Sequence, residues 1–170
     1  MKIKDGMVKD VVTIEPSASL VDAATKMREA NIGMLPITER GMLRAILTDR
    51  DVVVRAVSRN ADLTTTRVTD CATETPVSAR PDWDVEKALE VMARQQVGRL
   101  PVVDEDGRLV GIVTLSSLVL RGEKPSGALE AASRVSERAA KGGVGKSRKP
   151  SGRTAGRSAP KGKAKGRRTA

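Results

Sequence analysis

Apolar residues recur at helical spacing across residues 20–31, LVDAATKMREAN, where Leu20, Ala23, Ala24, Met27 and Ala30 line one side. Ser17 or Ser19 can cap the free amides at its start, and Asn31 with Gly33 marks its end. Two short apolar runs follow, MLPIT and MLRAIL, separated by Glu39-Arg40-Gly41, which predicts a pair of strands joined by a tight turn. Thr48-Asp49-Arg50-Asp51 then supplies a cap and an acidic first turn for a second helix through about Val57. The pattern reads strand, helix, strand, strand, helix.

The same pattern returns. Asp82 or Asp84 precedes VEKALEVMARQQ, then come RLPVVD, a turn at Asp106-Gly107, RLVGIV and a short helix from Thr114. Residues 16–53 and 81–119 align at an offset of 65, or 66 beyond the loop before Gly107, pairing Pro16/Pro81, Met27/Met92, Gly33/Gly98, Pro36/Pro101, Gly41/Gly107, Ile46/Ile112 and Thr48/Thr114. Such a repeat means two copies of one unit, each with an apolar face it must bury against the other. The expected organisation is a first repeat over 1–57, a polar connector over 58–67, a second repeat over 68–121, a possible helix within 122–140 and a basic tail over 141–170. Gly33 and Gly98 read as left-handed ends of the first helix of each unit. In residues 126–140, Leu129, Ala132, Val135 and Ala139 fall along one side.

Charge divides the chain more sharply than the repeat does. Residues 1–120 carry 16 basic and 18 acidic residues, net −2, whereas residues 121–170 carry 15 against 3, net +12. From Lys141 onward the chain is Gly, Ser, Ala, Pro, Thr, Lys and Arg with almost nothing apolar and no acid, a composition that favours disorder. Lys146, Arg148, Lys149, Arg153, Arg157, Lys161, Lys163, Lys165, Arg167 and Arg168 are the candidate contacts to a polyanion such as DNA or RNA. With Trp83 as the sole aromatic residue, stacking on bases is nearly excluded. The absence of His removes the commonest acid–base group, and the single Cys71 permits neither an intrachain disulfide nor a thiolate zinc cluster. No catalytic set is visible, so the chain does not read as an enzyme. It contains no run long enough to cross a membrane and no secretory signal, so it reads as a soluble cytoplasmic protein. The stretch 141–147, KGGVGKS, looks like a phosphate-binding loop, but it lacks the preceding buried strand such a loop needs.

Gly33-Met34-Leu35-Pro36-Ile37 with Ala45-Ile46-Leu47-Thr48-Asp49-Arg50-Asp51, and Gly98-Arg99-Leu100-Pro101-Val102 with Gly111-Ile112-Val113-Thr114-Leu115-Ser116-Ser117, resemble the paired cystathionine-β-synthase-type (CBS) domains, or Bateman module. The resemblance covers residues 1 to about 121. It implies an α/β fold of two β-α-β-β-α repeats packed about a pseudo-twofold axis, and a regulatory role sensing an adenosyl ligand such as AMP, ADP, ATP or S-adenosylmethionine. No other cofactor is implied. It also implies a homodimer formed through exposed apolar helix faces. Mapped residue by residue, the ligand cleft comprises Ile46, Thr48, Asp51, Pro76, Val77 and Arg99. Independently of the resemblance, a carboxylate one turn into a helix can accept both hydrogen bonds of a ribose diol, and the helix start suits phosphate. The second cleft keeps Thr114 but has Ser117 in place of the carboxylate and Met34 in place of Arg99, so it should bind more weakly. The alternative function is nucleic-acid association through the tail, with the body serving mainly as a dimeriser.

Overall fold

The computed structural model describes residues 1–121 and 126–140. The basic tail and the residues expected to bind polyanions there lie outside this range.

In the first half, α2 (Leu20–Ala30) leads into β1 (Met34–Glu39) and β2 (Met42–Thr48), after a short opening helix α1 (Ile3–Gly6). Helix α3 (Asp49–Asp51) continues without a break as a π-helical turn, Val52–Ala56, and a 3-10 turn, Val57–Arg59. The second half repeats the order as α4 (Val68–Cys71), β3 (Thr73–Glu74), α5 (Val85–Gln95), β4 (Arg99–Val103), β5 (Leu109–Thr114) and α6 (Leu115–Arg121), followed by α7 (Ser126–Ala140).

Both hairpins are antiparallel and in the same register, with Pro36 opposite Ile46 in one and Pro101 opposite Ile112 in the other. Each carries a register shift at the same place, between Ile37 and Thr38 and between Val102 and Val103. The strand expected at the head of each unit is reduced to a single parallel bridge, Ile14 to Ile37 and Ala79 to Val102. At the turns, Gly41 and Gly107 have φ of 81° and 83°, a conformation that side chains resist. These turns meet each other: Leu43 N donates to Gly107 O at 3.2 Å and Leu109 N to Gly41 O at 3.0 Å. Met42 and Arg108, equivalent positions in the repeat, bridge there, which places them on the pseudo-twofold axis.

The halves exchange their opening helices. Ile3 of α1 is buried with Val85, Met92, Leu100 and Leu118 of the second half, whereas Val68 and Cys71 of α4 are buried with Leu20, Leu35 and Leu47 of the first. The exchange is anchored by paired backbone bridges, Lys2 to Asp84 and Ser19 to Arg67. Each buried Leu or Ile stabilises the fold by about 1.5–3 kcal/mol, so neither half keeps its full core without the other's helix.

The helix starts and ends differ in part from expectation. Ser19 caps α2, and Asp22 returns the bond to Ser19 N at 3.0 Å, a reciprocal capping box. Asp84 occupies the equivalent position of α5 but makes no side-chain cap and pairs with Lys2 instead. The left-handed residues are Asn31 and Gln96, with φ of 52° and 54°, rather than Gly33 and Gly98. Gly33 is small for a different reason: a Cβ there would sit 2.7 Å from the Asp49 carboxylate. Among the described side chains of α7, Ala131 is fully enclosed, Ala132 and Val135 are half-buried and Leu129 is 75% exposed, so the packed side overlaps the one read from the sequence but excludes Leu129. Val135, one turn beyond Ala131, is half-buried next to Gly98, and α7 packs on α5 and α6. Trp83 packs on the second-half core, with the Lys87 ammonium 4.2 Å from its ring centre. Among the described residues no helix is long and apolar enough to cross a membrane, and no cluster of His, Cys, Asp or Glu could hold a metal ion.

Candidate functional site

Strand β2 ends at Thr48, whose extended backbone (φ −115°, ψ 159°) turns the chain into α3. Its hydroxyl accepts from Asp51 N at 3.1 Å and donates to Asp51 Oδ2 at 2.6 Å, while Thr48 N donates to the same oxygen at 3.0 Å. Asp51 is therefore a capping residue first. Its other oxygen, Oδ1, lies 3.3 Å from Arg55 Nε, and the carboxylate is only 16% exposed. A carboxylate has about four lone-pair sites, so each oxygen retains acceptor capacity beyond these bonds.

Arg55 was not among the residues read from the sequence. Its Nη1 donates to Cys71 O and Ala72 O, both at 2.9 Å, and Nη2 approaches Thr73 Oγ1 at 3.4 Å. The signal for it was present as the i,i+4 spacing from Asp51. Through Arg55 the start of α3 is tied to the strand that opens the second half. That strand, β3, pairs Thr73 with Ile46 and Glu74 with Ala45. Beyond it Thr75 takes a left-handed φ of 46°, turning the chain into half-buried Pro76 and exposed Val77. Ile46, Thr48, Asp51 and the strand entering Pro76 and Val77 are thus joined by strand pairing and by Arg55. Arg99 is not tied to them: it is exposed at the head of β4, opposite Thr114, without an ion pair among the described residues.

The second junction is neutral. Ser117 N donates to Thr114 Oγ1 at 3.0 Å, Thr114 N donates to Ser117 Oγ at 3.1 Å, and Ser117 Oγ donates to Thr114 O at 2.8 Å. The cap survives without the carboxylate. Met34, where the first cleft has Arg99, is buried. Val8 bridges Ile112 here as Thr73 bridges Ile46 in the first half, and a Cβ at Gly111 would meet Met7 Sδ at 2.7 Å and Val8 O at 2.9 Å. The equivalent position in the first half is Ala45, which is buried and pairs with Glu74 of β3. Cys71, beneath the first junction, is a free buried thiol whose pKa is pushed up by burial and then by the nearby Asp70 carboxylate.

Two hairpin-and-helix halves, trading their opening helices and meeting at their turns, define a tandem-repeat α/β module. The chain belongs to the CBS domain family, whose model matches residues 2–58 and 68–122. The CBS domain-containing protein YhcV of Bacillus subtilis is 37% identical over 118 residues, covering 69% of this chain and 83% of that protein. The CBS domain pair of protein MJ0100, solved with 5′-methylthioadenosine and S-adenosyl-L-methionine, superposes with a TM-score of 0.65 and 28% identity over 73% of this chain and 98% of that one. CBSX2 of Arabidopsis thaliana, solved with AMP, gives a TM-score of 0.62 and 26% identity over 70% and 93%.

Proposed function

We propose that the chain is a non-catalytic, cytoplasmic regulatory module that binds one adenosyl ligand, AMP, ADP, ATP or S-adenosylmethionine, at the Asp51 junction. The observation that carries this reading is the part-buried Asp51 carboxylate held between Thr48 and Arg55, beside the strand leading to Pro76 and Val77. Asp51 accepts from the ribose hydroxyls, Ile46, Pro76 and Val77 flank the base, and Arg99 from the other half meets the phosphates or their equivalent. The ligands of MJ0100 and CBSX2 support the class. Thr114 and Ser117 form a weaker second cleft, since a charged hydrogen bond contributes roughly 1.5–3 kcal/mol and Ser117 offers none. The test is a thermal-shift panel of AMP, ADP, ATP and S-adenosylmethionine: a ligand of the native state raises the midpoint, because stability grows as RT ln(1 + [L]/Kd). A flat response to all four contradicts the reading.

The module forms a homodimer through Val53, Val54 and Val57, which stand 49–58% exposed on the helical turns after Asp51. Sedimentation of Val54→Glu as a monomer against a wild-type dimer checks this; an unaltered mass contradicts it.

The charge division favours a second activity: the tail binds DNA or RNA without regard to sequence. Because phosphate neutralisation releases counterions, log K should fall linearly with log salt, at about −0.9 per duplex phosphate contacted. Fluorescence anisotropy comparing the full chain with one ending at Ala140 reads this out. Equal binding by both, or a salt-independent affinity, removes the tail from the function.

A further inference from the structure

The guanidinium of Arg55 spans two structures that the ligand reading needs at a fixed separation. On one side Nε faces Asp51 Oδ1 at 3.3 Å; on the other Nη1 holds the carbonyls of Cys71 and Ala72, one residue before β3. Asp51 Oδ2 is committed to the Thr48 amide and hydroxyl, so with Arg55 in place both carboxylate oxygens are fixed and the plane of the group is set. A planar fork with several donors suits this task, whereas a single ammonium does not. Arg55 lies on the π-helical turn, whose wider winding sets its position relative to Asp51. In the second half the repeat puts Arg121 at the counterpart, where Ser117 presents no carboxylate.

We propose that Arg55 is a positioning residue of the ligand site: it locks the Asp51 carboxylate and the backbone of residues 71–73 into one unit, so that the ribose and the base of the ligand are read at a set distance. The inference rests on the proposed Asp51 site. Arg55 acts through Asp51, so its effect depends on the ligand having ribose hydroxyls for Asp51 to bind.

The experiment titrates AMP and 2′,3′-dideoxy-AMP into wild type, Asp51→Ala, Arg55→Ala and Arg55→Lys, each checked for wild-type circular dichroism. Arg55→Ala should weaken AMP binding about 10-fold, the low end for a charged hydrogen bond, while leaving the affinity for 2′,3′-dideoxy-AMP unchanged. Arg55→Lys should recover part of the loss. If Arg55→Ala does not fold, the lysine variant carries the comparison through the same ratio of the two ligands. Wild-type or tighter AMP binding by Arg55→Ala, with Asp51→Ala impaired, overturns the inference and leaves the Asp51 site standing. Equal loss of both ligands reduces Arg55 to a purely structural role and also overturns it. Undiminished AMP binding by Asp51→Ala instead removes the underlying site.

Discussion

The two halves of this chain share a scaffold down to the position of a strand irregularity, yet their helix junctions differ in chemistry. In the first, Thr48, Asp51 and Arg55 form a charged relay to the neighbouring strand; in the second, Thr114 and Ser117 form the same cap without charge. The cap is a requirement of the fold and recurs. The cap itself needs no carboxylate, since Ser117 closes it in the second half, where Arg121 at the counterpart of Arg55 has no such partner at position 117. The outer surfaces differ as well: α7 covers α5 of the second half, while Val53, Val54 and Val57 of the first are exposed.

The largest effect tests whether the halves are independent. Leu47→Ala in one core and Leu100→Ala in the other should each cost about 2–5 kcal/mol. Because α1 and α4 are exchanged, both should lower one common urea midpoint, read by circular dichroism. Two separated transitions, each moved by one variant alone, contradict the exchange of helices as the source of cooperativity.

A smaller change sharpens the comparison at the junctions. Ser117→Asp restores an acceptor carboxylate to the second cleft and should raise occupancy there by about 10-fold, although buried Met34 still withholds a cation from the phosphates. Calorimetry should then detect a second, weaker binding event. No change in stoichiometry or affinity argues that the carboxylate is not what separates the two clefts.

The smallest effect lies at the starts of α2 and α5. The hydrogen bonds from the Ser19 hydroxyl and amide hold the Asp22 carboxyl below its ordinary range, whereas the second half has Lys87 at that position. A carboxyl depressed in the folded state contributes stability above its unfolded pKa, and that contribution fades as pH falls through the folded value. Asp22→Asn should therefore narrow the difference from wild type as pH drops below about 4. Melting temperatures measured against pH check this; a deficit that stays constant into acid contradicts it.

Much of this fold was legible because the repeat doubled every signal. Alternating and helical apolar patterns located α2, α5 and both hairpins, and Gly41 and Gly107 marked the turns. The opening helices were not legible, since α1 and α4 have four residues each and show no periodicity, and their exchange depends on tertiary packing alone. Gly33 was misread because a glycine near a helix end usually signals a left-handed residue, whereas here Asn31 took that conformation and Gly33 made room for Asp49. At the junction the sequence identified Thr48 and Asp51 but not that the cap already engages one carboxylate oxygen, nor that Arg55 holds the other. Those facts require side-chain geometry.

The central claim is a single adenosyl site on the first half, and calorimetric titration of AMP into wild type and Asp51→Ala tests it most directly. The account predicts one strong site per chain, weakened about 10- to 150-fold when the carboxylate is removed. Two equivalent sites per chain, or an Asp51→Ala affinity equal to wild type, would contradict it.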